Sequence, residues 1–223
     1  MESEAFGRQL GIFDPFEHNL SMTIIGAGGL GSPFMLLASK MGFRYINIYD
    51  EDVIETHNLS NQFHRRSDLG KSKVDGLVDS ARDFSPIPDH VEFSGFNQFV
   101  NAKTEILTEI VVLAVDSNEQ RAIIAKAIKP PVRYVIDMRM GGNVTQIYSV
   151  KRENLAHWKK FIETTKIVPQ EQLSCTERSI MYMGYVVAAM AMRNLISMIK
   201  DFPWFNKIDY DAMNFMFMPH TNW

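Results

Sequence analysis

The chain has 223 residues, 46% of them hydrophobic, and carries 23 Lys and Arg against 26 Asp and Glu for a formal net charge of -3. That length can bury a sizeable core and fits a single domain over residues 1–223. A mixed, mildly acidic charge pattern offers no basic stripe to neutralise a phosphate backbone, so nucleic acid is not expected as a partner. The single cysteine, Cys175, excludes an internal disulfide and a zinc site built on paired CxxC motifs.

The opening Met1-Glu2-Ser3-Glu4-Ala5-Phe6-Gly7-Arg8 lacks the basic start and apolar run of a secretory signal, which points to a cytoplasmic protein. Residues 20–25 read as a buried strand, 29–41 as a helix and 45–49 as a second strand, together one βαβ unit. A helix over 71–84 follows, then a strand near 91–93, a short helix around 102–109 and an apolar strand over 110–115. Ser117 or Asn118 can cap a helix that runs to residue 129. Strands over 134–138 and 144–150, joined at Gly141-Gly142, come next, and Pro86, Pro88, Pro130 and Pro131 mark element boundaries. The apolar run over 180–199 is interrupted by Gly184, Arg193 and Asn194, which suits a buried helix and not a membrane span. The partial alternation over 213–218 suits a late strand. The expected architecture is therefore α/β and Rossmann-like, a mostly parallel sheet with helices on both faces and antiparallel strands at the C-terminus. The nucleotide-binding part would cover about residues 1–140, and the C-terminal helix and strands 141–223.

Ile24-Ile25-Gly26-Ala27-Gly28-Gly29-Leu30-Gly31 matches GxGxxG directly after a strand and at the opening of a helix. Gly26 permits the tight turn, Gly28 lets a phosphate approach the backbone, and Gly31 allows the helix to pack on the strand. Unpaired N–H groups at the helix start favour an anion. Asp50 ends the second strand, where an acid commonly accepts hydrogen bonds from ribose hydroxyls. To this point a nicotinamide oxidoreductase fits as well as any other nucleotide enzyme. Gly70-Lys71-Ser72 imitates the end of a P-loop, but Arg65 stands where its first glycine belongs.

The run from Asp50 through Asp52, Asn58-Leu59-Ser60-Asn61-Gln62 to Phe63 resembles the acidic and NLxRQ signature of the ThiF/MoeB/HesA family, the ubiquitin-activating-enzyme-like adenylyltransferases. Other segments agree in order. Arg8-Gln9 is similar to the family's N-terminal RQ, the run from Gly26 through Gly29 to Gly31 to its GxGGxG, Gly70 to Lys73 to its GxxK, and Asp116 to Arg121 to its DNxxxR turn. These motifs cover roughly the first two-thirds of the chain.

The resemblance implies attack of a C-terminal carboxylate, on a ubiquitin-like protein or a peptide, at the α-phosphorus of ATP, giving an acyl adenylate and pyrophosphate. Two anions must meet, so such a site needs fixed cations more than it needs an acid or base. By the same resemblance Asp116 would hold Mg²⁺, Lys73 would neutralise phosphate charge, Asn58 and Gln62 would orient the phosphates, and Asp50 with Asp52 would serve the nucleotide. Arg8 would reach the phosphates, in some relatives from the other subunit of a homodimer. Other uses stay open: Asp116 can start the next helix, Lys73 can be a solvated helix charge, and Asp52 and Arg121 can pair with other charges. The family arginine of NLxRQ is Asn61 here. Either Arg65 or Arg66 replaces its phosphate contact, or the chain is a weak adenylating enzyme or a non-catalytic relative that binds nucleotide or pairs with an active subunit.

Cys175 precedes the late helix, where the helix N-terminus and Arg178 would favour a thiolate able to form a thioester. It is equally readable as a small buried hydrophobe, with Glu177 opposing the shift. The methionine-rich helix over 179–200 reads as core or subunit contact.

Overall fold

A computed structural model of the chain describes residues 2–166 and 180–221. A short helix α1 (Glu2–Ala5) precedes β1 (Ser21–Ile25), α2 (Gly31–Met41), β2 (Tyr45–Tyr49), α3 (Lys73–Phe84) and β3 (Glu92–Phe96). Then come β4 (Ile110–Leu113), α4 (Asn118–Ala127), β5 (Tyr134–Gly141), β6 (Val144–Lys151), α5 (Leu155–Thr165), α6 (Met181–Ile199), β7 (Lys207–Asp211) and β8 (Met216–His220).

The eight strands form one sheet in the order β3-β2-β1-β4-β5-β6-β7-β8. The first five run parallel, and β6, β7 and β8 pair antiparallel. The strand order reverses between β1 and β4, so a crevice opens beyond their carboxyl ends, the place where open α/β sheets take ligands. Strands β1 and β4 show no alternation of buried and exposed residues, because both faces of the sheet are covered there. Met22, Ile24, Val112 and Ile136 pack under α2, α3 and α6. Val111, Leu113, Val135 and Val150 pack on the other face with Ile124, Trp158 and Phe161 of α4 and α5.

Helix α6 is long and apolar enough to cross a membrane by length and composition, yet Met183, Val187, Ala191, Leu195 and Met198 are buried in the core under α2 and the sheet. Its two polar interruptions divide the work. Arg193 faces out, while Asn194 is fully buried and satisfied, donating to Ser149 Oγ and Phe205 O at 2.7 Å each and accepting from Phe205 N at 2.9 Å.

Three expected elements differ. The helix around 102–109 is absent, because Asn101 Oδ1 accepts from Lys103 N and Thr104 Oγ1 accepts from Asn101 N, local turns that compete with helical hydrogen bonds. Helix α5, unassigned in the sequence, is capped by Asn154, whose Oδ1 accepts from His157 N at 3.1 Å. The late strand is a hairpin of β7 and β8, and Met213 with Phe215 lies in its turn, Phe215 at φ 50°.

Candidate nucleotide site

The glycine turn follows β1 at the switch point. Gly26 has φ 101°, and a Cβ there would fall 2.6 Å from Ala114 O on the neighbouring chain segment. At Gly31 a Cβ would fall 1.7 Å from Gly26 O. Both positions exclude side chains so that α2 can begin against the end of β1. Gly28 is different: a Cβ there would meet nothing nearer than Gln62 Nε2 at 3.9 Å, so its backbone borders open space. Gly29 carries a contact that its motif does not announce, since a Cβ at Gly184 of α6 would stand 2.3 Å from Gly29 O. Gly184 therefore lets α6 close over the turn, and the only hint in the sequence is a glycine inside a helical pattern.

Ala27 is held from both ends. Its N–H donates to Asp50 Oδ2 at 2.7 Å, and its carbonyl lies 3.1 Å from His64 Nε2. Asp50 Oδ1 also accepts from Asp52 N at 2.9 Å, so both Asp50 oxygens brace backbone. Ser32 Oγ accepts from Phe63 N at 2.8 Å and donates to Gly28 O at 2.7 Å, which ties the segment after Asn58 to the turn. His64 and Ser32 are site residues that the sequence did not single out, and no pattern in it could have.

Asn58 is buried and accepts from Glu55 N at 2.9 Å, closing a capping box on the 3-10 turn Thr56–Ser60. Beyond it, three buried polar atoms have no hydrogen-bond partner: Asn61 Oδ1, Gln62 Oε1 and His64 Nδ1. Buried polar atoms are normally paired, so such a row beside a glycine turn points to a ligand. Burial pushes the His64 imidazole below its ordinary value, aided by Lys73 and opposed by the Ala27 carbonyl, Asp50 and Asp68.

Lys73, nearly buried, reaches Asp52 Oδ2 at 2.7 Å, and Lys73 N donates to Asp52 O at 2.9 Å. Asp52 itself stays exposed at its side chain. Across the switch point, Ala114 N donates to Ile25 O at 2.8 Å, and Asp116 follows two residues later. Asp116 is exposed and has no hydrogen bond or ion pair among the described residues. No cluster of three or more metal-binding side chains occurs among the described residues. One free carboxylate suits a hard ion that draws its other ligands from phosphates and water.

Two expected cations stand elsewhere. The N-terminal segment packs at the far end of α2, where Phe6 abuts Gly42 and Gln9 Nε2 donates to Met41 O at 2.9 Å. An 11-residue helix spans about 16 Å, so exposed Arg8 is not brought to the glycine turn of its own chain. Arg65 is engaged by carboxylates, with Asp68 at 2.6 Å and Asp83 at 2.7 Å, and its hydrogen bond holds the Asp68 carboxyl below the usual range. Arg66 is exposed. Cys175 lies outside the described residues. A cavity of about 370 Å³ opens at the same sheet edge, walled by Tyr49, Phe99, Asn101, Lys103 and Thr104.

A glycine turn at a topological switch point, an acid at the end of the next strand and a lysine beside it belong to a Rossmann-like α/β fold. The sequence profile of the ThiF family matches residues 17–221, and the chain belongs to that family. It is 34% identical over 107 residues to the adenylyltransferase and sulfurtransferase MOCS3-1 of Zea mays, covering 47% of this chain and 23% of that one. It is 40% identical over 65 residues to the NEDD8-activating enzyme E1 catalytic subunit of Dictyostelium discoideum, 29% of this chain and 15% of that one. The matched stretches thus span less than a quarter of these relatives. Among solved structures, PaaA superposes with a TM-score of 0.72 at 17% identity over 97% of this chain and 72% of PaaA. E. coli MccB with ATP gives 0.66 at 16% identity over 91% of this chain and 64% of MccB. These likenesses are in fold. With the family shown, a nicotinamide oxidoreductase loses its support.

Proposed function

We propose that this chain is an ATP- and Mg²⁺-dependent adenylyltransferase acting on the C-terminal carboxylate of a ubiquitin-like protein or peptide. The observation that carries this reading is the meeting of two segments at the switch point, the glycine turn after β1 and the end of β4. On one side stands a braced glycine turn linked through Asp50 and Asp52 to Lys73, and on the other Ala114, which abuts Gly26 and is followed two residues later by Asp116, without a side-chain partner among the described residues. The residues fit the group: Gly28, Gly29 and Gly31 would bring backbone N–H donors to phosphates, Gly26, whose own N–H donates to Tyr49 O at 2.8 Å, would keep the turn tight, and Asp116 would hold the ion. The orphaned Asn61 Oδ1, Gln62 Oε1 and His64 Nδ1 are acceptors, the last because Nε2 donates to the Ala27 carbonyl, and would take hydrogen bonds from hydroxyl or amino groups of the nucleotide and not from its phosphates. Bound Mg²⁺ would neutralise phosphate charge and polarise the reacting phosphoryl group.

Within the chain, Asp50 and Asp52 keep the turn and Lys73 in place, while Asn58 fixes the segment that carries Gln62. Sugar and base would extend toward the cavity beside Tyr49. Arg8 stands at the far end of α2 from the turn of its own chain, so a second copy would supply it in a homodimer. The relatives named for NEDD8 activation and sulfur transfer support a protein tail as the carboxylate. The setting is the cytoplasm, and thioester formation on Cys175 would be a later step. Partner-dependent exchange of pyrophosphate into ATP tests the reading. Exchange that appears with a Gly-Gly-ended partner and vanishes in Lys73→Ala and Asp116→Ala is expected; ATP and Mg²⁺ binding with no exchange for any carboxyl-terminal partner would end it.

A second reading has its own observation. Asn61 brings no charge and Arg65 is held by Asp68 and Asp83, so the turn has fewer cations than a reacting triphosphate calls for. A non-catalytic subunit would bind nucleotide and raise the exchange rate of an active partner only.

A further inference from the structure

Asp116 has no side-chain partner among the described residues, so what the protein fixes is the backbone from which the carboxylate projects. What fixes that backbone is a guanidinium beneath it. Arg121, in the first turns of α4 and almost fully buried, sends Nη2 to Val115 O, the residue before Asp116, and to Met138 O at 3.3 Å on β5. Its Nη1 meets Asn118 Oδ1 at 3.3 Å, and its Nε donates to Asp137 Oδ1 at 2.8 Å. Asp137 is fully buried and is gripped a second time by Arg139 Nε at 2.7 Å. Arg139 is itself anchored through Nη2 to Thr164 Oγ1 at 2.8 Å and over the Tyr148 ring at 4.3 Å.

One planar group thus joins the strand end, the helix cap and the next strand. On the other side of the turn Ser117 Oγ accepts from Gln120 N at 3.1 Å. Residues 115–118 are therefore held from below and from the helix. An ammonium could replace the charge of Arg121 but not four hydrogen bonds in one plane.

We propose that Arg121 is a positioning residue for the metal, setting the Asp116 carboxylate at the switch point through the Val115 carbonyl. This rests on the reading of Asp116 as the Mg²⁺ ligand. Groups that orient metal ligands commonly change metal affinity by 10- to 100-fold when lost, on the order of magnitude seen for outer-shell partners. Here the link runs through backbone, and a smaller loss of about 5- to 10-fold is expected, at and below the lower edge of that range.

The test uses the full chain, ATP and Mn²⁺ as the probe, with free Mn²⁺ read by electron paramagnetic resonance and ATP affinity measured separately without metal. Arg121→Lys should weaken Mn²⁺ binding to the protein–ATP complex by about 5- to 10-fold and leave metal-free ATP affinity within about twofold. In Asp116→Asn, adding Arg121→Lys should cost no further Mn²⁺ affinity, because the carboxylate it positions is gone. If Arg121→Lys does not fold, Asn118→Ala removes the Arg121 Nη1 contact and keeps the guanidinium, and should shift Mn²⁺ affinity in the same direction by about twofold. Unchanged Mn²⁺ affinity in the folded variants, with only a lower melting temperature, makes the arginine a scaffold and overturns the proposal. So does equal loss of ATP and Mn²⁺. A wild-type chain that binds Mn²⁺ no better than ATP does alone, or an Asp116→Asn chain that binds it as well as wild type, removes Asp116 as a metal ligand and with it the reading beneath.

Discussion

The parallel half of the sheet and its antiparallel extension treat their edges in opposite ways. At the carboxyl edge of β1, β2 and β4, backbone and side chains are locked by specific contacts: Ala27 to Asp50, Phe63 to Ser32, Lys73 to Asp52, Arg121 to Val115. At the outer edge of the extension, Met216, Phe217 and Met218 of β8 are all exposed, and in the hairpin turn Met213 is 72% and Phe215 84% exposed. The contrast teaches that polar order and apolar surface are separated along one sheet, with α6 bridging them through its contacts to β5, β6 and the turn at Gly29.

The strongest way to break the ordered half is a methyl group where none fits. Gly31→Ala places a Cβ 1.7 Å from Gly26 O, and a loss of at least about 3 kcal/mol, with nucleotide binding abolished in calorimetry, is expected. Gly184→Ala tests the bridge: the 2.3 Å approach to Gly29 O forces α6 or the turn to move, and nucleotide affinity should fall by about tenfold, roughly 1.4 kcal/mol. A smaller effect separates the halves by pH. His64 has its pKa below the ordinary 6.5 because burial disfavours its charge, so the folded chain binds fewer protons than the unfolded one. Stability should hold above about pH 6.5 and fall as pH drops below it. Urea midpoints for His64→Gln should lose part of that acid-side slope, and an unchanged slope would remove His64 from the cause. The least effect belongs to the extension: Phe215→Ser with Met216→Ser should leave stability within about 0.5 kcal/mol and nucleotide affinity unchanged. Binding of a hydrophobic dye should drop.

The parallel half was legible because its signals are local and periodic. The glycine turn, strand β2, the positions of Asp50, Lys73 and Asp116 and the core helix α6 all follow from motif and pattern. The rest depends on partners far apart in sequence. Lys207-Ile208-Asp209-Tyr210-Asp211 hides a strand under charge, which Asp209 resolves by meeting Lys207 at 2.7 Å, Gln146 at 2.8 Å and His220 at 3.0 Å. The helix expected around 102–109 gives way to turns made by the side chains of Asn101 and Thr104. At the site, the glycine pattern gathered the glycines and Asp50, and the family resemblance added Asp52 and Lys73. It could not reveal that Asp50 is already engaged, that Arg8 lies at the other end of α2, or that Gly184 closes over Gly29.

The double grip on Ala27 carries a kinetic consequence. A loop whose amide is pinned by a carboxylate and whose carbonyl is pinned by an imidazole has already surrendered its freedom before any ligand arrives. Capture of an anion there need not wait for folding of the loop, so association should proceed near the rate of encounter, and differences in affinity between ligands should appear in how slowly they leave.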